Sequence, residues 1–151
     1  MGITQKSEIL TNRLKRNRSK SRSLALQTLF EIDLAKHHMD DVLGHLMVES
    51  DLDKNHPDFT REIVHGVIEK QKQIDNLIAQ CATERQVGDL SSLDRSVLRM
   101  GIFELIDFPQ TPPKVVVNEA VELAKIYGSD NSYKFVNGVL GSVLQKLKIE
   151  E

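Results

Sequence analysis

Apolar side chains recur at three- and four-residue spacing along most of the chain, the signature of helices that bury one face. The first stripe, Ala25, Leu26, Leu29, Phe30 and Leu34, predicts a helix from about Ser19 to His38. Val42, Leu43, Leu46 and Met47 predict a shorter helix over 39–50, followed by a loop over 51–56. Pro57 suits the first turn of a third, long helix. In that helix Phe59, Ile63, Val67, Ile74, Leu77, Ile78 and Cys81 keep one stripe as far as Ala82.

Thr83 to Leu90 is a polar joint containing Gly88. Ser91, with Asp94 three residues on, reads as an acidic variant of the capping box at the head of a fourth helix. Leu93, Val97, Met100, Leu105 and Phe108 form its apolar face, and Gly101 offers a place for close helix contact. Pro109, Pro112 and Pro113 impose a break. Thr111 is the expected N-cap of the next helix, with Val116, Ala120, Leu123, Ala124 and Tyr127 inward and Gly128 at its end. Ser129 or Asp130 is placed to cap a final helix carrying Val136, Val139, Leu140, Val143, Leu144 and Leu147. Six or seven helices with short joints predict an all-α fold of two small bundles packed together, about 18–82 and 91–148.

Composition agrees with that pattern. The chain has 151 residues, no Trp and few aromatics, a size suited to one domain with a buried core. Its apolar runs are too short to span a bilayer, and the N-terminus is too polar for a signal peptide. The single Cys81 excludes an internal disulfide and a multi-cysteine zinc site, which points to a reducing cytoplasm. The net charge of −2 conceals an asymmetry. Lys6, Arg13, Lys15, Arg16, Arg18, Lys20 and Arg22 stand against Glu8 alone in the first 22 residues, leaving 13 basic against 21 acidic residues in the remainder. A basic arm over residues 1–17, expected to be flexible, thus precedes an acidic helical domain over 18–151, and such an arm implies a polyanionic partner met at one end of the molecule.

The run Arg16, Arg18, Lys20 and Arg22 leads into a predicted helix start, where free backbone N–H groups add to the attraction for phosphate. Charge alone puts nucleic acid ahead of an anionic membrane or an acidic protein, and it does not separate RNA from DNA. Around the start of the last helix, Asn131, Ser132, Lys134 and Asn137 surround Tyr133 and Phe135, a mixture that can stack and hydrogen-bond an unpaired base. Phe135 could equally be a core residue. Other constellations are bland. His37 and His38 are adjacent and diverge on a helix, and with His45 they match no metal-binding pattern. Glu119 and Glu122 share a helix face, but no Glu-x-x-His pair accompanies them, and Glu122 has Lys125 as a surface partner. Cys81 sits on an apolar stripe and reads as core rather than nucleophile. No cofactor-binding loop or catalytic motif is visible, so neither enzyme activity nor a cofactor is expected.

Four segments, taken in order, resemble the NusB family. They are the stretch from Arg22 to Phe30 (RSLALQTLF), that from Leu93 to Leu105 (LDRSVLRMGIFEL), that from Val117 to Lys125 (VNEAVELAK), and that from Lys134 to Leu140 (KFVNGVL). The resemblance runs from about Arg18 to Lys146. It implies two packed helical subdomains and a transcription antitermination factor. It further implies binding of boxA-type single-stranded RNA with ribosomal protein NusE, in complexes of RNA polymerase and other Nus factors on ribosomal RNA operons. Carried over by position, Arg16, Arg18, Lys20 and Arg22 would grip phosphates, and Phe135, with Lys134 and Asn131 beside it, would contact a base. Phe30 and Asp94 would meet NusE. Phe30 stands where the family often has Tyr, so a hydroxyl able to bond the acid is missing here.

Two other readings compete. The same helical fold occurs fused to RNA cytosine methyltransferases, but this sequence holds no cofactor-binding α/β domain and no catalytic cysteine pair. A non-catalytic helical module for protein interaction, with the basic arm as ornament, is the other.

Overall fold

The computed structural model describes residues 3–35 and 57–149, and the side chains of all of these except 3–4 and 11–16. Among the described residues there are six α-helices and no strand: α1 Ile3–Ala35, α2 Asp58–Glu69, α3 Gln71–Cys81, α4 Ser92–Asp107, α5 Pro113–Tyr127 and α6 Ser132–Leu147. A short 3-10 turn, Val87–Asp89, lies in the joint before α4. The expected helix over 39–50, the loop over 51–56 and the three histidines His37, His38 and His45 lie outside the described residues.

α4 is the axis of the fold and packs against each of the other five helices. Every residue from Asp94 to Leu105 is buried. A helix enclosed on all sides carries no polar stripe, so its five predicted apolar positions understate how much of it is inside. Its start follows the sequence: the Asp94 N–H donates to Ser91 Oγ at 3.1 Å. Gly101 does permit close contact, since a Cβ there would lie 3.2 Å from a Leu140 methyl.

Arg95, Arg99 and Glu104 on this enclosed helix are each matched by an opposite charge. Arg95 reaches Asp33 of α1 through Nη2 at 2.5 Å, and Arg99 reaches the same carboxylate through Nη1 at 3.2 Å. Arg99 also binds Asp75 of α3 through Nε at 2.8 Å and Nη2 at 2.9 Å. At the far end of α4, Glu104 accepts from Arg22 Nε at 2.8 Å and Nη2 at 2.6 Å. Burial alone would raise the Asp33 carboxyl. Hydrogen bonds from Arg95 and Ser92 and the charges of Arg95 and Arg99 outweigh it and hold the carboxyl below its ordinary value.

Three local features depart from the sequence expectation. First, α1 begins at Ile3 instead of near Ser19, so the expected flexible arm is helical from that point. The segment has no Pro and no Gly after Gly2, and it includes the good helix formers Leu10, Arg13, Leu14, Lys15 and Arg16. The described side chains from Gln5 to Leu10 are all exposed, so intrinsic propensity supports this helix without packing. Second, the expected long third helix is two. The helix N–H bonds continue on either side of the break, Lys70 N–H to Gly66 O at 3.0 Å and Ile74 N–H to Lys70 O at 2.9 Å. No residue there opposes a helix. The kink answers to tertiary packing of both halves on α4, with Lys70 Nζ bound to Asp107 at 2.6 Å. Third, neither predicted cap of the last two helices forms. The Thr111 hydroxyl is buried without a hydrogen-bond partner among the described residues, and α5 starts behind Pro112. At α6 the N-cap position is Asn131 with no side-chain bond, and Ser132 Oγ accepts from the Ser129 N–H at 3.1 Å.

Gly128 does end α5, but for space and not for a left-handed turn, its φ being −91°. A Cβ there would lie 2.6 Å from both Ala124 O and Ser132 Cβ. Leu34 and Tyr127, placed inward by the pattern, are exposed, while Ile32 and Asp33 are buried on α1.

Replacing Asp33 with Asn leaves two buried arginines short of a countercharge and is expected to cost about 3–5 kcal/mol at neutral pH. Because the native Asp33 carboxyl lies below its ordinary value of 3.8, its contribution is complete above that value and fades as pH falls past it. The gap between wild type and Asp33→Asn should therefore narrow in acid. Chemical denaturation at several pH values checks this, and a gap that does not change with pH would contradict it.

Candidate nucleic-acid interface

The cations of α1 divide according to helix geometry. Residues four apart lie one above the other, so Arg18 and Arg22 share a side of α1 while Lys20 faces elsewhere. Lys20 is exposed. Arg18 is exposed too, with its guanidinium carbon 4.8 Å over the Phe59 ring. The Arg16 side chain lies outside the described set. Arg22 corrects the sequence reading. It is 4% exposed and bound in bidentate fashion to Glu104, with Glu119 3.9 Å away. Burial would lower its pKa, but the hydrogen bonds and charge of Glu104, with Glu119 behind it, raise it above the ordinary value. An arginine so engaged is a strut and not a free phosphate ligand. Arg18 and Arg22 border a cleft of 510 Å³ against Thr111, Pro112, Val115 and Glu119. Glu119 there accepts from Ser19 Oγ at 3.0 Å.

The second group assembles at the start of α6. Asn131, Lys134 and Phe135 line one cleft of 590 Å³ with Cys81 and Arg85. Helix spacing explains it: Asn131 and Phe135 are four apart, and the Phe135 N–H bonds to Asn131 O at 3.2 Å. Phe135 is half-buried, with part of its surface against the core cluster and one ring face under the Arg85 guanidinium, 4.6 Å from the centroid. The alternatives of core and stacking residue therefore meet in one side chain. Lys134 and Lys125 both approach the Tyr133 ring, at 5.9 and 5.5 Å. Cys81 is half-buried at the cleft wall and not within the core. Burial pushes its thiol up, against an opposing pull from Lys146, so it is a poor nucleophile.

Sequence reasoning missed Arg85. Its only signal is that it is the one cation in the polar joint from Thr83 to Leu90. The joint is held by Arg95, whose Nη1 donates to Val87 O at 3.0 Å and Leu90 O at 2.9 Å.

The two groups are not one groove. The clefts share no lining residue. One is lined by the first turns of α5, at Pro112, Val115 and Glu119, and the other by α6 from Asn131 to Ser142.

The residues assigned to a protein partner flank the ion pair between α1 and α4. Phe30, half-buried, lies one turn before Asp33, and Asp94 directly precedes Arg95. Asp94 is buried, and its Oδ1 has no hydrogen-bond partner among the described residues.

Comparison with known proteins decides the family. The model of the NusB family matches residues 19–145. The chain belongs to the NusB family. The match to the NusB model includes Lys20, Arg22, Phe30, Asp94, Asn131, Lys134 and Phe135 and leaves out Arg16 and Arg18. A transcription antitermination protein NusB from Chloroflexus aggregans is 41% identical over 140 residues, covering 91% of this chain and 93% of the relative. One from Roseiflexus castenholzii is 43% identical over 133 residues, covering 87% and 94%. Among solved structures, the NusB of T. maritima superposes with a TM-score of 0.73 at 30% identity, covering 85% of this chain and 91% of that one. A chain from a complex of antitermination factors NusB and NusE with double-stranded RNA gives 0.69 at 25% identity, covering 87% and 98%. Among the described residues no helix is long and apolar enough to cross a membrane.

The two arginines of α1 should separate in experiment. Arg22→Ala leaves Glu104 buried and unpaired and is expected to destabilise the fold by about 3–5 kcal/mol. Arg18→Ala, at an exposed position, should change stability by no more than about 1 kcal/mol. Urea titration of both variants measures this; equal losses would show that Arg22 is no strut.

Proposed function

We propose that this chain is a non-catalytic, RNA-binding transcription antitermination factor. It takes a boxA-type single strand together with ribosomal protein NusE, and serves RNA polymerase and other Nus factors on ribosomal RNA operons. The cytoplasm, where transcription and ribosomal proteins meet, is its place of action. The observation that carries the reading is the cleft at the start of α6, which combines an aromatic face, an amide and cations, on a chain whose NusB-family match covers residues 19–145.

Each chemical component of an unpaired strand has a counterpart. The half-buried Phe135 ring presents a face for stacking, the Asn131 amide supplies a donor and an acceptor to a base edge, and Lys134 supplies charge for a phosphate. Arg18 and Lys20 on α1, with Arg16 ahead of them, offer further phosphate contacts. The rigid helices hold these groups at fixed spacing, so little ordering is needed on binding. Phe30 and Asp94 are the proposed NusE contacts. The buried Asp94 Oδ1, an acceptor without a partner among the described residues, suits a donor from a second protein.

The absence of catalysis is part of the proposal. The carboxylates on α4 that could serve as acids or bases are enclosed, Glu104 is matched to Arg22, and the one thiol is held protonated.

Phe135→Ala should weaken binding of a boxA-like single strand by about 1–3 kcal/mol with little change in melting temperature. A fall in melting temperature with RNA affinity intact would instead make Phe135 a core residue only. Log K should fall with log salt at a slope of about −3, as expected for four phosphates on a single strand, and shallower for Arg18→Ala. NusE should tighten the binding, because two proteins on one strand enlarge the contacted surface. Fluorescence anisotropy over a salt series, with and without NusE, tests all three, and a salt-independent affinity would remove the phosphate contacts.

A further inference from the structure

Arg85 lies over the face of Phe135, its guanidinium carbon 4.6 Å from the ring centroid. It closes one side of the 590 Å³ cleft that Asn131, Lys134 and Cys81 also line. At that separation no base fits between guanidinium and ring. The side chain is exposed, however, and the backbone on both sides of it is held. Ala82 N–H bonds to Ile78 O at 2.7 Å on one side, and Arg95 grips Val87 O and Leu90 O on the other. Arg85 can therefore turn away from the ring without moving the joint. An exposed cation on a phenyl face is a weak contact and exchanges readily for a better one. A nucleobase is a better partner for the ring, and its far face then accepts the flat guanidinium. The floor beside the ring has room, since a Cβ on Gly138 would meet nothing within 4 Å.

We infer that Arg85 swings off Phe135 when a base of the bound RNA stacks on that ring, and closes over the base from the other side. The inference rests on the RNA-binding reading, which already seats the base on Phe135, and adds to it a moving wall. A planar guanidinium is required for the second wall, because a lysine ammonium supplies charge without a face.

Cys81, the sole cysteine, lines the same cleft and reports on its occupancy. The test measures iodoacetamide alkylation of the full chain, free and saturated with a short boxA-like single-stranded RNA, alongside anisotropy of the same complex. Bound RNA should slow alkylation about fivefold or more. Arg85→Ala should weaken RNA binding about tenfold and remove most of the protection. Arg85→Lys should recover the salt dependence but not the protection of Cys81. Unchanged alkylation in a complex that anisotropy shows to be saturated overturns the inference while RNA binding stands. Wild-type affinity and protection in Arg85→Lys overturn the closing wall, since a point charge then suffices. If the wild-type chain binds no RNA, the RNA-binding reading falls and the base seat with it.

Discussion

Opposite charge meets Arg95, Arg99 and Glu104 on α4, a helix enclosed on every side. An isolated ion in such a place costs several kcal/mol, so the neighbours of α4 are chosen by electrostatics as much as by shape. α1 supplies both signs: Arg22 to Glu104 at one end, Asp33 to Arg95 and Arg99 at the other. Rising position on α1 meets falling position on α4, so the pairs fix an antiparallel register as well as a contact. A slip of α1 by one residue would break all of them together.

That register separates structural arginines from free ones. Arg18 and Arg22 are alike in sequence and lie one turn apart on the same side of α1. Only Arg22 has a buried carboxylate opposite it. The same network reaches the other cleft, because Arg95 also holds the carbonyls of Val87 and Leu90 and so anchors the joint that presents Arg85. Binding groups in both clefts are thus mounted on one frame of buried ion pairs.

Much of the fold was legible because most helices are amphipathic. The stripes of α5 and α6 place Val116, Ala120, Leu123, Val136, Leu140 and Val143 inside, where the structure has them. Ser91 was legible as a cap because its chemistry is local. The pattern fails where the cause is tertiary. The kink at Lys70 has no local breaker, and the burial of Arg95 and Arg99 depends on carboxylates 24 to 66 residues away in sequence. The candidate site divides the same way. Asn131, Lys134 and Phe135 come together because they occupy one turn of one helix. Arg85 escaped notice because its place over Phe135 is made by a joint with no periodicity to read. Arg18 and Phe135 line separate clefts, a separation that no periodicity in the sequence states.

The corner at Gly128 has a bearing on how such a surface evolves. Ala124 O and Ser132 occupy the space a side chain would need, so the angle between α5 and α6 is set by main chain and small side-chain atoms alone. Lys125 and Asn131 project from either side of that corner without building it. Selection can exchange these outward residues one at a time, adapting the face to a different ligand while its mounting stays where it is.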